Sequence, residues 1–405
     1  MRSTVMACGG LAVIAALASP VMAAVSSPAF APSPAVDWIP DDPQDGGNDR
    51  IGRLKVRRVA RGDRVRGLPI AAHQIDPRWT WNGRPWTLDQ YMAAYNVSGV
   101  MVLKAGQVVL ERYAHGRQPS DRWVSQSVAK SVTSMLAGAA IQDGRLKLTD
   151  TVGELAPELR GSAYGAVTLR QLLTMSSGVR WEEGYVAGKA SDLTSFYRSA
   201  MSGEDQYGAF MKILPRAAPA GSTFHYSTGE AHLTGLVISR AVGMPLADYL
   251  SRKIWQPFGM ARDAAWQLDP RGRELAGCCL MMTLGDYARL GQFALEDGVI
   301  DGRRVLPAGW IAQSTRVQIA NGRAPPQGYG YFWWITGADR FQASGIFGQM
   351  IMVYPKDRVV VAVNSQWARP DDDADFDALH AFEQAARAAA AALATPLAGP
   401  PGVGR

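Results

Sequence analysis

The 405-residue chain is poor in cysteine and histidine. Its three cysteines are Cys8, Cys278 and Cys279, and the last two are neighbours that an ordinary backbone does not bring into bonding geometry. No structural disulfide is therefore expected, and a disulfide-stapled scaffold is excluded. The five histidines (His73, His115, His225, His232, His380) are scattered, with no Cys/His cluster, so no zinc or other metal site is expected. No Gly-x-Ser-x-Gly occurs, which removes the nucleophile elbow of the α/β-hydrolases. The stretch from Gly184 to Ser191 imitates a phosphate loop, but it has three residues between its glycines, and Ala190 stands where Ser or Thr is needed. No nucleotide or other cofactor is expected.

Hydrophobic residues make up 47% of the chain and charged residues 19%, too apolar for a disordered chain. At roughly 150 residues per domain, the length suggests two or three units, one of them inserted in another. The formal net charge of +6 is unevenly spread. Residues 25–49 carry five aspartates and no lysine or arginine, whereas 50–66 carry seven arginines and Lys55 against Asp63. The rest of the chain is close to neutral. The charge thus belongs to a short arm, read as solvated, and does not argue for a nucleic-acid partner.

Arg2, the apolar run from Val5 to Val21 and the small residues Ala23 and Ala24 have the pattern of a secretory signal over 1–24. An exported protein, periplasmic or secreted, with no membrane span after signal removal is expected. Residues 25–79 read as a Pro/Asp-rich linker and the basic arm, part of which, with Ile51, Leu54, Val56 and Val59, fits a strand. Gly99–Tyr113 alternates around Ala105-Gly106 and predicts a β-hairpin. Residues 128–143 predict a helix, 168–260 mostly helices, and 328–335 and 349–365 strands, with a turn at Tyr354-Pro355-Lys356-Asp357. Ala374–Leu393 predicts an Ala-rich helix and 396–405 a loose tail. Early and late strands can share one sheet, which divides the chain into an α/β lobe (80–150 and 276–395) and a helical lobe (151–275).

Ser127-Val128-Ala129-Lys130 sits where an extended segment meets the first of these helices. Residues three apart share a helix face, so the lysine can approach the hydroxyl. A serine is a weak nucleophile without a base, and lysine serves when burial lowers its pKa. Tyr226, in Phe224-His225-Tyr226-Ser227-Thr228-Gly229-Glu230, is a second candidate base. Ala343-Ser344-Gly345-Ile346-Phe347-Gly348-Gln349 precedes a strand, and its glycines let an edge backbone approach a substrate.

Together, in order and spacing, these three stretches resemble the serine β-lactamase and penicillin-binding-protein superfamily. The likeness is strongest to its branch of class C-like hydrolases, esterases and 6-aminohexanoate-dimer hydrolases. It spans about residues 80–390 and is supported by Thr168–Gly178, Trp181–Tyr185, Thr283–Gly291 and Gly328–Trp334. The resemblance implies an α+β fold: an antiparallel sheet flanked by helices, with an inserted all-helical lobe and the site in the cleft between lobes. It implies that Ser127 is acylated, that Lys130 tunes Ser127 and Tyr226, and that Tyr226 acts as base and then acid. The backbone N–H groups of Ser127 and Ile346 would bind the oxyanion. Substrate contacts would come from Trp181, Tyr185, Asp192, Thr228, Ser344 and Gly345.

Two positions depart from the β-lactamase and transpeptidase pattern. Ala343 stands where Lys or His is usual, which removes a charge-assisted contact to a substrate carboxylate worth about 1.5–3 kcal/mol. Thr228 stands where Asn is common. Esterase or amidase action on a small molecule is therefore expected. A D,D-peptidase or β-lactamase is the enzymatic alternative, and a catalytically silent binding protein the alternative of another class.

Overall fold

A computed structural model of the chain describes residues 35–38, 54–185 and 189–393. The expected signal over 1–24 and the expected tail over 396–405 lie outside the described residues.

The main sheet has seven antiparallel strands, in the spatial order Gly328–Tyr329, Trp334–Gly337, Arg340–Gly345, Gln349–Tyr354, Val359–Ser365, Val97–Lys104 and Gln107–Tyr113. The early hairpin therefore joins the late strands, with Val360 opposite Leu103 and Ala362 opposite Met101. Ala105 (φ +50°) and Gly106 (φ +82°) both adopt left-handed backbone in its two-residue turn, the form that matches strand twist. Alternate side chains feed two cores. Met101, Leu103, Val360 and Ala362 face one. Val100, Val102, Val361 and Val363 face the other. Helix Leu284–Leu295 packs into the first and helix Asp373–Ala392 into the second. Covering both faces explains the near-continuous apolar runs of these strands. The strand expected over 328–335 divides into two short ones that pair with each other, because Phe332 (φ +57°) reverses the chain.

A second antiparallel sheet runs Ala35–Trp38, Leu54–Val59, Ala264–Gln267, Leu280–Thr283 and Arg122–Val124. The basic arm is thus built into the fold where it was expected to be solvated. Val56 and Val59 are buried. Arg57 pairs with Glu274, Arg58 with Asp263, Arg64 with Asp301 and Arg66 with Glu296. Val56 and Val59 are an odd number of residues apart and enter different clusters, so both faces of this strand are covered, and Arg57 and Arg58 meet carboxylates of the domain.

Between the sheets' contributions to the chain lie the helices Leu169–Leu173, Asp192–Met201, Thr228–Val242 and Leu246–Leu250. Helix Val128–Gln142 is buried almost throughout and packs on both Thr228–Val242 and strand Arg340–Gly345. Its start meets the end of that strand, where Gly345 approaches Ser127. Among the described residues, no helix is long and apolar enough to cross a membrane.

One sequence expectation is overturned. Cys278 and Cys279 form a disulfide with each other. Their Cα atoms are 3.7 Å apart, the ordinary spacing of a trans peptide, and Cys279 takes a left-handed φ of +67°. The expectation assumed extended or helical backbone at this pair, and the loop entering strand Leu280–Thr283 is neither.

Candidate active site

Strand Arg122–Val124 delivers the chain to helix Val128–Gln142 through Gln126, whose φ of +46° turns it sharply. Ser127 occupies the N-cap position, yet its side chain caps nothing. Instead the Lys130 Nζ donates to Ser127 Oγ at 2.9 Å and to the Gly277 carbonyl at 2.8 Å. An N-cap serine with a surface lysine is thereby excluded, since Lys130 is only 2% exposed. Burial pulls its ammonium down to about 8, opposed by the negative charge of Glu183. A lysine held there carries a neutral fraction near physiological pH, growing as pH rises through about 8, and that fraction can accept a proton.

Tyr226 enters from the turn before helix Thr228–Val242. Ser127 is near enough to its phenol to favour the charged form, and the Lys130 Nζ lies 5.0 Å from its ring centroid. Burial, the Glu183 charge and Tyr197 raise the phenol well above its usual range, and the Ser127 contact offsets them only in part. It is therefore a neutral O–H at any ordinary pH. Ser127, Lys130 and Tyr226, up to 99 residues apart in sequence, form one cluster.

The strand end of the third stretch closes on the same point. A Cβ at Gly345 would lie 2.7 Å from Ser125 O and 3.1 Å from Ser127 N, so only glycine permits this approach. Ile346 follows at the start of a short 3₁₀ turn, and Ser344 is half-buried on the strand before it. Ala343 is a buried alanine in that strand.

Three residues expected to contact substrate converge on one carboxylate that was not among the expected site residues. Glu183 accepts from Trp181 Nε1 (2.6 Å), Tyr185 O–H (2.6 Å), Thr228 N–H (3.0 Å) and the Thr228 hydroxyl. The signal was present: Trp181, Glu183 and Tyr185 alternate, and alternate residues of an extended segment share a side. Trp181 itself is buried, with its ring against Gly229. Asp192 begins helix Asp192–Met201, accepts from Glu182 N–H at 2.8 Å and lies 3.6 Å from Arg180. Both atoms of its carboxylate thus face protein groups. Trp123 and Trp333 are core. Trp334 stacks on Tyr226 at 5.5 Å between centroids. Among the described residues, no group of three or more His, Cys, Asp or Glu side chains is placed to hold a metal.

The sequence profile of the Beta-lactamase family matches residues 87–386. A 6-aminohexanoate-dimer hydrolase of Paenarthrobacter ureafaciens is 30% identical over 300 residues, covering 70% of this chain and 76% of that protein. A solved structure from Bacillus anthracis, assigned provisionally as a 6-aminohexanoate-dimer hydrolase, superposes with a TM-score of 0.74 at 24% identity, covering 84% of this chain and 90% of the other. A family VIII carboxylesterase superposes with a TM-score of 0.56 at 16% identity, covering 73% and 96%. These two structures share the fold.

Proposed function

The chain belongs to the Beta-lactamase family, and we propose that it is an exported hydrolase that cleaves a carboxylic ester or a small linear amide through an acyl-enzyme at Ser127. That it is a serine hydrolase follows from the family and its relatives. The observation that carries the assignment of the nucleophile is the Lys130–Ser127 contact at 2.9 Å beside a lysine pulled down to about 8.

In this reading neutral Lys130 takes the proton as Ser127 Oγ attacks the substrate carbonyl. This gives the first transfer to Lys130 instead of Tyr226, because burial and Glu183 hold Tyr226 in its phenol form. Tyr226 then passes its proton to the leaving group and is reprotonated from Lys130. The N–H groups of Ser127 and Ile346 receive the oxyanion, a contribution of about 3–4 kcal/mol per donor in comparable sites. Water enters along the same path to release the acid.

An ester or linear amide is favoured over a β-lactam on two grounds. Residue 343 supplies no cation for a substrate carboxylate. The negative Glu183 stands beside Lys130 and Tyr226, where a carboxylate next to the scissile bond, as a β-lactam carries, would meet like charge, while the carboxylate of a linear amide dimer lies several bonds away. The relative from Paenarthrobacter ureafaciens carries the name of an amide-dimer hydrolase, which supports the amide option. Export rests on the pattern of residues 1–24. The test is a panel of short-chain esters, 6-aminohexanoate oligomers, D-amino-acid peptides and nitrocefin, with Ser127→Ala as blank. Ser127-dependent turnover of esters or linear amides is expected. Nitrocefin turnover equal to that of the best ester overturns the proposed substrate class.

A further inference from the structure

We propose that the Cys278–Cys279 disulfide is a positioning element for Lys130, keeping the Gly277 carbonyl against the lysine. The inference rests on the reading in which Lys130 activates Ser127.

Gly277 immediately precedes the bonded pair, and its carbonyl is one of two groups that receive the Lys130 ammonium. Its N–H donates to His232 Nδ1 at 3.3 Å. His232 is buried, and burial together with the Lys130 charge pulls its imidazole down to about 3, so it stays neutral. A neutral ring that accepts at Nδ1 carries its proton on Nε2. That proton is donated to the Tyr197 oxygen, 3.0 Å away. The Tyr197 hydroxyl in turn lies 3.5 Å from Cys278 Sγ. A disulfide sulfur has no proton, so Tyr197 is the donor there. The path runs from the Gly277 amide through His232 and Tyr197 back to Cys278, the next residue, and each donor in it has a fixed sense.

The same loop is held from the other side. Trp266 Nε1 donates to the carbonyls of Leu275 and Cys278, each at 3.0 Å, and the Gln267 N–H donates to the Cys279 carbonyl. The left-handed Cys279 and the bond to Cys278 set the direction in which the Gly277 carbonyl points. A dithiol reductant breaks the S–S bond: each sulfur gains a proton, and the dithiol closes to its own cyclic disulfide. The Cys278 thiol then carries a proton of its own, the sense of the Tyr197–Cys278 contact is no longer fixed, and the backbone at 277–279 regains its freedom. Lys130 loses its carbonyl partner and gains water.

The experiment compares wild type made under oxidising conditions, with and without dithiothreitol, and the Cys278→Ser/Cys279→Ser variant. Peptide mapping after alkylation reports the state of the two sulfurs. Two readouts are taken: the pH profile of kcat/KM on a turned-over ester, and the titration of the Lys130 ammonium followed by NMR. Reduction is expected to lower kcat about tenfold, part of what a positioned proton acceptor supplies. It is also expected to move the Lys130 titration, and with it the acid limb of the profile, to higher pH. Dithiothreitol is expected to leave the variant unchanged. If the variant does not fold, the reductant arm on wild type decides. Full reduction with an unmoved Lys130 titration overturns the inference, as does finding free thiols at 278 and 279 in the oxidised preparation. Absence of any Ser127-dependent turnover would instead overturn the proposed function, and the NMR titration still tests the role of the disulfide.

Discussion

Lys130 stands three residues after Ser127 on one helix face and places its Nζ 2.9 Å from the serine oxygen while remaining almost wholly buried. The arrangement is costly for a charged lysine and useful for a neutral one. Burial raises the free energy of the ammonium, and the same burial makes the amine available as a base at moderate pH.

The first prediction concerns pH. The amine form of Lys130 exists above its pKa, so kcat/KM should rise with pH through about 8, the value to which burial brings it. Lys130→Met should remove this limb and lower kcat/KM by roughly 10²–10⁴-fold, the range of a positioned acid–base group. The profile on a soluble ester checks both.

Glu183 supplies the opposing charge. It favours the protonated lysine, so Glu183→Gln should move the acid limb to lower pH. It should also loosen the Trp181, Tyr185 and Thr228 donors that meet at this carboxylate, and so raise KM. A pH profile together with a KM measurement separates the two effects.

Gly345→Ala should damage catalysis more than folding. The new Cβ meets Ser125 O at 2.7 Å and forces the strand end away from Ser127. A loss of about 10²–10³-fold in kcat is expected, comparable to removing an oxyanion donor. Backbone conformation is not the cause, since Gly345 has an extended φ of −128°. Thermal unfolding, measured beside kcat, should show a small change in midpoint.

The arm gives a stability prediction. Glu274 pairs with Arg57 at 2.5 Å, and both are nearly buried. Glu274→Ala leaves a buried arginine without this partner and should cost about 3–5 kcal/mol in urea unfolding. Arg58 pairs with Asp263 at the surface, and Arg58→Ala should cost no more than about 1 kcal/mol.

Much of the fold was legible because it rests on local periodicity. The hairpin at Ala105-Gly106, the helix Val128–Gln142 and the turn after Tyr354 all follow from apolar spacing and turn residues close in sequence. The three stretches around Ser127, Tyr226 and Gly345 were legible as motifs. What escaped depends on distant partners. Glu183 became part of the site only when the fold brought Thr228 to it. Gly277 carries no side chain to announce its carbonyl as a lysine partner. The bond between Cys278 and Cys279 depends on a left-handed residue that adjacency alone does not reveal.

The central claim is that Ser127 is the nucleophile and Lys130 its activator. Intact-mass analysis after treatment with a fluorophosphonate probe tests it most directly. Wild type should gain one adduct, mapped to Ser127, at a rate that rises with pH through about 8. Ser127→Ala should gain none, and Lys130→Met should label far more slowly. Equal labelling of wild type and Ser127→Ala would contradict the account.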